Sequence, residues 1–534
     1  MPSEMSEQEL YLCPNVVVEP LIDRWYAWSH LISPATAAMN ITHRHMKIMQ
    51  SFVNAPQVHI AAVANPKMLG GPFVSYGTDS VPDIRELMAK TKQERAQMLA
   101  FAAAVQQLDE MLRTRADGHS LEPLYESVPE ILRGYVELVY DLNHQPSFRF
   151  LEPLLYQSPF YDDSTQSLML SLISQDDRPF VLSTPRLDNE SSVHLRLPFV
   201  SSAIDDLFAM KRTPRSFAWI KDRLGIADEQ EAVFRTFLTA QAPEPYTAYT
   251  GESMRWRYFG HACILVETKE MSILTDPVLS YTFESGVSRY TYEDLPDVID
   301  YVLITHNHQD HIMFETMLQL RGRIRCVVVP RCSAGALQDP SLKLLLQKIG
   351  FSNVLELDDL ESFGKGGVTI TGLPFLGEHA DLDIRTKLAY LVKLGERSIL
   401  FAADSCNLEP KMYEHVQRIV GDVDVLFLGM ECDGAPLTWI YGPLITRSVS
   451  RTMDQSRRLS GSNHGRGMDI VHRFHCKQVY VYAMGQEPWL NYIMSVKYTD
   501  DSGPMVQSNA LLADCRVEGI TVERLFGEKE LLLV

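Results

Sequence analysis

The chain has 534 residues, of which 46% are hydrophobic and 22% charged, and its formal net charge is −19. A chain of this length is expected to form two or three domains, and its composition is that of an ordinary globular protein. The negative charge disfavours nucleic acids and anionic membranes as partners, because both require a basic surface.

The sequence gives no sign of export or of membrane insertion. It begins MPSEMSEQEL, which is acidic and polar, unlike a signal peptide. No run approaches the roughly 18 consecutive apolar residues that span a bilayer. The 8 cysteines are scattered without a CxxC pair, which favours reduced thiols over disulfides or a thiolate metal site. We therefore expect a cytoplasmic protein.

Residues 1–245 are predicted to form a mostly helical α+β domain. Asp83, with Glu86 three positions on, indicates a helix start, and apolar residues then recur at helical spacing as far as Met111. A second helix is predicted over residues 131–142 and another over residues 228–241. No catalytic motif is apparent in this half.

Residues 246–534 are predicted to form a second, α/β domain. Ala242-Pro243-Glu244-Pro245 is the expected linker, because two prolines end the preceding helix. After it, short strands alternate with helices, a pattern typical of α/β folds. The predicted strands and helices of this half cover residues 255–266 (a hairpin), 272–277, 298–304, 314–320, 327–330, 341–349, 367–376, 398–405, 424–429, 467–474 and 478–485.

A histidine-rich motif, His-x-His-x-Asp-His, follows the apolar run at residues 298–304. His306 and His308 alternate in extended chain and face the same way, so they can hold one metal while Asp310 and His311 turn towards a second. The loop leaving the carboxyl end of a strand is also where open α/β sheets place their ligands. The motif therefore predicts a metal site. His43 and His45 have the same spacing without the Asp-His that follows, and are interpreted as structural or solvated.

The second half resembles the metallo-β-lactamase superfamily. The matching segments are Gly260-His261, Thr275-Asp276-Pro277, the motif at residues 306–311, and Asp404 at a strand end. This resemblance implies an αβ/βα sandwich with a two-metal site at the sheet edges. It says little about the reaction, since one fold hosts many chemistries.

One departure from the superfamily pattern indicates which group of the superfamily, and which chemistry, the chain resembles. Superfamily hydrolases usually place a histidine ligand in the loop before the bridging aspartate, whereas this loop contains Glu378 followed by His379. A glutamate at that position resembles the di-iron β-hydroxylases of nonribosomal peptide pathways, which include chloramphenicol biosynthesis. That family also places a helical domain ahead of the metal domain.

The family resemblance implies a ligand set for two metals. The implied ligands are His306, His308 and Glu378 for one metal, Asp310 and His311 for the other, and Asp404 as a bridge. His464, in a turn-rich loop, is chosen as the seventh ligand, because the strand over residues 478–485 ends without a histidine. His379 is kept as an alternative to Glu378, and His261 is interpreted as a structural residue of its hairpin.

The resemblance also implies a reaction and its participants. It predicts an O₂-dependent monooxygenase, with Glu378 and Asp404 as catalytic residues, that hydroxylates the β-carbon of an amino acid. The substrate, expected to be L-p-aminophenylalanine, is held as a thioester on the carrier domain of a nonribosomal peptide synthetase. The implied cofactor is an oxo-bridged pair of iron ions. An external donor is expected to supply its electrons. A homodimer is expected, with the N-terminal domain as interface, lid or carrier-docking surface.

The ligand types argue for iron apart from the resemblance. Two histidines and one carboxylate with open positions form the facial arrangement with which non-haem iron activates O₂. A glutamate in place of a neutral histidine adds a negative charge, which stabilises a higher oxidation state. Zinc can use the same ligands, so a di-zinc hydrolase of a thioester, lactone or phosphodiester stays open as the alternative. Four further residues are either pocket-lining or ordinary loop and core positions: Glu431, Asp433, Trp439 and Tyr441.

Overall fold

Two seven-stranded sheets face each other in the second half of the chain. The structure is a computed structural model and describes residues 8–533. The first sheet has the order Val354–Leu357, Val327–Pro330, Tyr301–Leu303, Ser272–Thr275, Ile264–Glu267, Met254–Tyr258 and Lys529–Leu533. The second has the order Ser362–Lys365, Val368–Leu373, Ala389–Leu394, Arg397–Phe401, Val425–Gly429, Gln478–Tyr482 and Thr521–Arg524. Trp256 and Phe427 meet edge to face between them, with ring centroids 5.0 Å apart.

Helices cover the outer faces of both sheets, which gives the predicted αβ/βα sandwich. The second half contains Phe314–Leu320, Leu342–Lys348, Pro410–Val420, Thr438–Tyr441, Arg451–Ser456, His464–Arg473, Asn491–Met494 and Gly503–Val517. Leu426 and Val479 of the second sheet share an outer core with Tyr413, Ile470 and Leu511 from three of these helices. The apolar side chains of buried strands thus face helices on one side and the opposite sheet on the other.

The first half is a mixed domain of helices and small sheets. Its helices are Ser29–Ile32, Pro34–Asn40, Met46–Asn54, Pro56–Val63, Val81–Glu94, Ala96–Arg115, Glu152–Leu155, Ser202–Ala209, Phe217–Leu224 and Glu231–Arg235. One four-stranded sheet is formed by Trp25–Tyr26, Val16–Ile22, Gln166–Leu172 and Ser192–Leu195, and a three-stranded one by Arg215–Ser216, Glu9–Leu12 and Leu238–Thr239. Its core is continuous with the side chains under the first sheet of the second half.

Two helix predictions in the first half were wrong. Over residues 131–142 the chain forms a short turn and then the strand Val136–Tyr140, which pairs with Pro146–Phe150. Val136 and Leu138 are both buried there, so the apolar residues follow the period of a strand. Over residues 228–241 the helix is only Glu231–Arg235, and Leu238–Thr239 is a strand.

The predictions for membrane segments and cysteines can also be compared with the structure. Within residues 8–533, each helix is too short or too polar to cross a bilayer. All 8 cysteines are free thiols.

Candidate metal centre

The first sheet supplies the histidine-rich loop and the residue that supports it. Tyr301–Leu303 leads into the motif, and the parallel neighbour Ser272–Thr275 ends beside it and is followed by Asp276. Asp276 accepts hydrogen bonds from the backbone N–H of Thr305 (2.7 Å) and from its hydroxyl (2.6 Å). Because both strands end at the same sheet edge, the loop is fixed at its first residue.

The second sheet supplies the two remaining carboxylates. Asp404 follows Arg397–Phe401, and Glu378 lies in the loop between the second and third strands. Glu378 has a left-handed backbone (φ +65°) and follows Gly377, whose φ is +83°. A Cβ at Gly377 would lie 2.5 Å from the Cβ of Cys406, so only glycine fits there. Backbone strain of this kind concentrates at functional sites.

Site A consists of His306, His308 and Glu378. Nδ1 of His308 lies 3.1 Å from Nε2 of His306 and 3.1 Å from Oε1 of Glu378. The three ligand atoms lie within 4.8 Å of one another, and all three residues are buried. A single ion can therefore contact all three.

Site B consists of Asp310, His311, Asp404 and His261. Nε2 of His311 lies 3.0 Å from Oδ2 of Asp404 and 3.6 Å from Oδ2 of Asp310. Nε2 of His261 lies 3.1 Å from the same Asp310 oxygen. Oδ2 of Asp404 is also 3.9 Å from His306 of site A, so this carboxylate lies between the two sites.

Hydrogen bonds from a second layer orient the imidazole rings. Oδ2 of Asp276 lies 2.8 Å from Nδ1 of His311, which leaves Nε2 of that ring facing site B. The hydroxyl of Tyr441 lies 3.1 Å from Nε2 of His308, which leaves Nδ1 facing site A. Carboxylate and hydroxyl partners of this kind fix the tautomer of a metal-binding histidine.

The buried charges of the cluster are not balanced by protein groups alone. Burial, reinforced by Asp404 and Asp310, raises the pKa of Glu378 well above its ordinary value. Burial also lowers the pKa of His308 to about 4. For His311, burial opposes the charged form, but the three neighbouring carboxylates raise its pKa well above the ordinary value. Carboxylates gathered in one buried place repel each other until a cation joins them.

The donor set fits two metal ions. Oδ1 of Asp404 is buried and has no hydrogen-bond partner within residues 8–533, while Oδ2 faces His311. A buried carboxylate that lies between the two sites, with one oxygen that has no other partner, suits a position between two cations. Each site combines imidazole and carboxylate donors, which suit non-haem iron.

Comparison with known proteins places this centre in a family. Residues 11–243 match the family model described as the diiron non-heme beta-hydroxylase N-terminal domain, and residues 272–436 match a beta-lactamase superfamily domain. The chain is 39% identical over 528 residues to the 4-amino-L-phenylalanyl-[CmlP-peptidyl-carrier-protein] 3-hydroxylase of Streptomyces venezuelae, covering 97% of this chain and 99% of that protein. The chain belongs to the diiron β-hydroxylase family.

Solved structures agree with this membership. The crystal structure of CmlA, a diiron β-hydroxylase from Streptomyces venezuelae, superposes with a TM-score of 0.92 at 39% identity and covers 98% of this chain and 100% of that one. A second relative, compared by sequence only, is a UPF0173 protein of Pyrococcus abyssi. It is 27% identical over 175 residues, covering 33% of this chain and 69% of its own length. The predicted family, the two-part fold and the diiron β-hydroxylase activity are confirmed, and the hydrolase alternative is not favoured.

The β-hydroxylase loop presents Glu378, not His379, to site A. His379 belongs to none of the ligand groups among residues 8–533. Its Nδ1 lies 3.1 Å from Nε2 of His308 and 3.1 Å from the hydroxyl of Tyr441. His379 therefore packs behind a ligand ring.

The structure does not bring His464, the predicted seventh ligand, to the metal centre. His464 starts the helix His464–Arg473, and its Nε2 pairs with Asp514 at 2.8 Å on the partly exposed side of that helix. His261, interpreted from the sequence as structural, lies in the cluster instead. It reaches Asp310 because the turn after Met254–Tyr258 has a left-handed backbone at Gly260 (φ +107°) and His261 (φ +52°). The Gly-His pair in the first hairpin was the available signal.

The four residues named as candidate pocket residues have different surroundings. Tyr441 touches His308, and Trp439 lies on the same short helix, Thr438–Tyr441. Glu431 accepts hydrogen bonds from the N–H of Gly434 (2.9 Å) and the hydroxyl of Tyr498 (3.1 Å), and burial raises its pKa to about 7. Asp433 is exposed.

Proposed function

We propose that this enzyme uses O₂ and an external electron donor to hydroxylate the β-carbon of an amino acid held as a thioester on a carrier domain. The carboxylate Glu378 in site A carries the proposal, because it stands where superfamily hydrolases have a histidine. The Streptomyces venezuelae relative is named for a 4-amino-L-phenylalanyl carrier-protein substrate, and the likeness extends over nearly all of both chains. The same aminoacyl thioester is the substrate proposed here.

The six clustered residues named from the sequence, with His261, are the proposed holders of two iron ions. Site A would hold one ion and site B the other, with Asp404 between them. Bound iron supplies the binding and reduction of O₂. Asp310, Glu378 and Asp404 contribute three carboxylates, which favour the higher oxidation states that such chemistry requires.

The protein's own part is to orient the ligands and to exclude water. Asp276 and Tyr441 hold the rings of His311 and His308 in the orientation that faces the two sites. The ligand side chains are nearly inaccessible to solvent, with His306 and His311 at 0% exposure. A water-excluding site protects reactive species from side reactions and strengthens the electrostatic interactions inside it.

Two measurements on the same preparation test this function. Protein purified aerobically without added metal is expected to contain two irons per chain. Supplied with O₂, a reductant and a carrier loaded with 4-aminophenylalanine, it should add one oxygen atom to the aminoacyl group, detected by intact-protein mass spectrometry. Two zincs per chain, with release of the amino acid and no O₂ uptake, would contradict the proposal.

Ligand substitutions test the assignment within each site. Glu378→Ala is expected to lower bound iron and abolish hydroxylation while the fold survives, whereas His379→Ala should retain the iron. Likewise His261→Ala should lower the iron content and His464→Ala should not. Equal loss in the members of either pair would overturn the assignment for that site.

We also propose a homodimer and a division of the chain at residues 1–245 and 246–534. Light scattering on the purified protein measures its mass in solution, and a mass of one chain would exclude the dimer. Limited proteolysis that cuts near residue 245 would support the division, and cuts confined to other loops would count against it.

A further inference from the structure

A cavity of about 540 Å³ lies between the N-terminal domain and the loop that carries Trp439. Its size is within the range of small-molecule sites. Arg44 and Lys47 line it, and none of the described residues along its wall is acidic. The whole chain carries a net charge of −19, so the charge of the residues lining this cavity is opposite in sign to that of the chain.

Arg44 is a buried cation without a compensating carboxylate. Its Nη2 donates to the carbonyl oxygens of Trp439 and Ile440, the second at 3.2 Å. Its Nη1 has no hydrogen-bond partner within residues 8–533, and no Asp or Glu of that range forms an ion pair with it. Burial lowers the pKa of Arg44 to about 10, so it stays charged at neutral pH. An uncompensated buried charge favours the arrival of an anion.

The backbone that carries Arg44 is itself unusual. The His43-Arg44-His45 segment lies in a π-helical turn, Ile41–His45, between two ordinary helices. Such turns are rare and are frequently found at functional sites. His45 stacks on Trp25 with ring centroids 3.8 Å apart, so of the two interpretations given above, structural or solvated, this histidine fits the structural one. The turn thus anchors His45 in the core and places its neighbour Arg44 at the cavity.

Another part of the cavity wall is aromatic and apolar. Phe180 and Trp439 lie nearly parallel, with ring centroids 6.2 Å apart, and Phe73 and Leu182 extend the wall. The indole N–H of Trp439 donates to the carbonyl of Gly70 at 2.9 Å, which fixes the ring. An uncharged, extended chain can lie along such a surface while its anionic end meets the cations.

A single short helix connects the cavity to site A. Trp439 and Tyr441 both belong to Thr438–Tyr441, and the hydroxyl of Tyr441 lies 3.1 Å from Nε2 of His308. Tyr441, two positions after the cavity residue Trp439, therefore contacts a proposed iron ligand.

The surface beside the cavity exposes apolar side chains among polar ones. Val63, Met68 and Leu69 are 39%, 40% and 37% exposed, and they line a neighbouring depression that shares Gly70 and Phe180 with the cavity. Exposed apolar clusters mark interaction surfaces. This favours an anion that is carried by a protein over a free one.

We infer that this cavity binds the phosphopantetheine arm of the carrier protein, with the phosphodiester at Arg44 and Lys47 and the uncharged chain along Phe180 and Trp439. The inference rests on the proposed function, because that function requires a carrier-tethered substrate. It assigns the N-terminal domain a direct part in substrate recognition.

The test uses 4′-phosphopantetheine as a probe for the full-length, iron-loaded enzyme, with binding followed by isothermal titration calorimetry. Lys47 is exposed, so Lys47→Glu should fold normally. It is expected to weaken binding at least tenfold, because the reversed charge repels the phosphate. Lys92→Glu makes the same change at an exposed position outside the cavity and should bind like the wild type. Pantetheine, which lacks the phosphate, should bind at least tenfold more weakly than the phosphorylated probe.

Three results would overturn the inference: wild-type protein that does not bind the probe, equal weakening by Lys47→Glu and Lys92→Glu, or inorganic phosphate that binds as tightly as 4′-phosphopantetheine. Probe binding does not depend on hydroxylation, so its failure is distinguishable from failure of the proposed function. In the hydroxylation assay, Lys47→Glu should raise KM for the loaded carrier at least fivefold and leave kcat within twofold. A fall in kcat at unchanged KM would count against a binding role.

Discussion

The two halves of the molecule each bury a cluster of charged groups, and the clusters differ in how their charges are balanced. In the N-terminal domain, Glu19 pairs with Arg186 at 2.7 Å and also with Arg178. At the metal centre, carboxylates share one buried space, and Oδ1 of Asp404 has no hydrogen-bond partner within residues 8–533. A cluster balanced by its own side chains serves the fold, whereas one that needs an outside cation serves a ligand.

The largest effect is expected from Asp404→Ala. Asp404 lies between the two sites, so its loss should lower iron at both and reduce hydroxylation to background. In the metal-free protein the same change relieves the repulsion between Asp404 and Glu378 but also removes a partner of His311. The two effects oppose each other, so the free energy of unfolding should not fall by more than about 1 kcal/mol. Elemental analysis and chemical denaturation of chelated protein measure the two effects.

Asp501→Ala is the matched control, because Asp501 is exposed and lies away from the cluster. It should change neither iron content nor stability. Loss of several kcal/mol in metal-free Asp404→Ala would show that this cluster also stabilises the fold, and the contrast between the two halves would fail.

Glu19→Gln is expected to have the opposite signature. It leaves Arg186 with a neutral partner, while Arg178 keeps its pair with Glu315 at 2.8 Å, and breaking a buried pair in this way costs about 3–5 kcal/mol. Burial opposes ionisation of Glu19, but the two arginines lower its pKa from 4.5 to about 2. Its stabilising contribution is therefore present above pH 4.5 and is lost as the pH falls towards 2.

Urea denaturation at neutral pH and at about pH 3 measures this difference. Glu190→Gln, at an exposed position of the same domain, is the control and should have no effect at either pH. Iron content of folded Glu19→Gln should equal that of the wild type. A loss of iron without a loss of stability would reverse the roles assigned to the two clusters.

The strands and helices of the second half were predictable because each is short, apolar and bounded by turn residues. Phe314–Leu320 and Val327–Pro330 have the predicted ends. In the first half, the residues from Val136 to Tyr140 fit a helical stripe as well as a strand, and the pairing with Pro146–Phe150 decides between them. Propensity within one segment does not contain that information.

The metal ligands show the same limit. His306, His308, Asp310 and His311 are neighbours in sequence, so the motif alone indicated that they act together. Which distant residue completes site B depends on how two hairpin residues turn in space. The structure places His261 beside Asp310, whereas the sequence prediction was His464, in a turn-rich loop, because the strand over residues 478–485 ends without a histidine.

The smallest effect concerns a buried carboxyl that belongs to neither kind of cluster. Both oxygens of Glu152 lie 3.3 Å from the backbone N–H of Ser341, and no cation of residues 8–533 pairs with it. Burial raises its pKa from 4.5 to about 7. A raised pKa means that the folded state holds the proton more tightly, so this group stabilises the fold most below pH 4.5. That contribution falls as the pH rises to about 7, by up to about 3 kcal/mol.

Glu152→Gln keeps an acceptor for the N–H of Ser341 and removes the ionisation. The variant should match the wild type at about pH 5 and exceed its free energy of unfolding at about pH 8, where the buried wild-type carboxylate is charged and unpaired. The contribution of Glu152 to the free energy of unfolding falls as the pH rises, whereas that of Glu19 grows. Denaturation of both variants across the same pH range therefore distinguishes a buried carboxylate that has a cation partner from one that has none. If Glu152→Gln changed the free energy of unfolding equally at both pH values, Glu152 would not be an unpaired carboxylate at pH 8. The explanation of its raised pKa by burial would then be wrong.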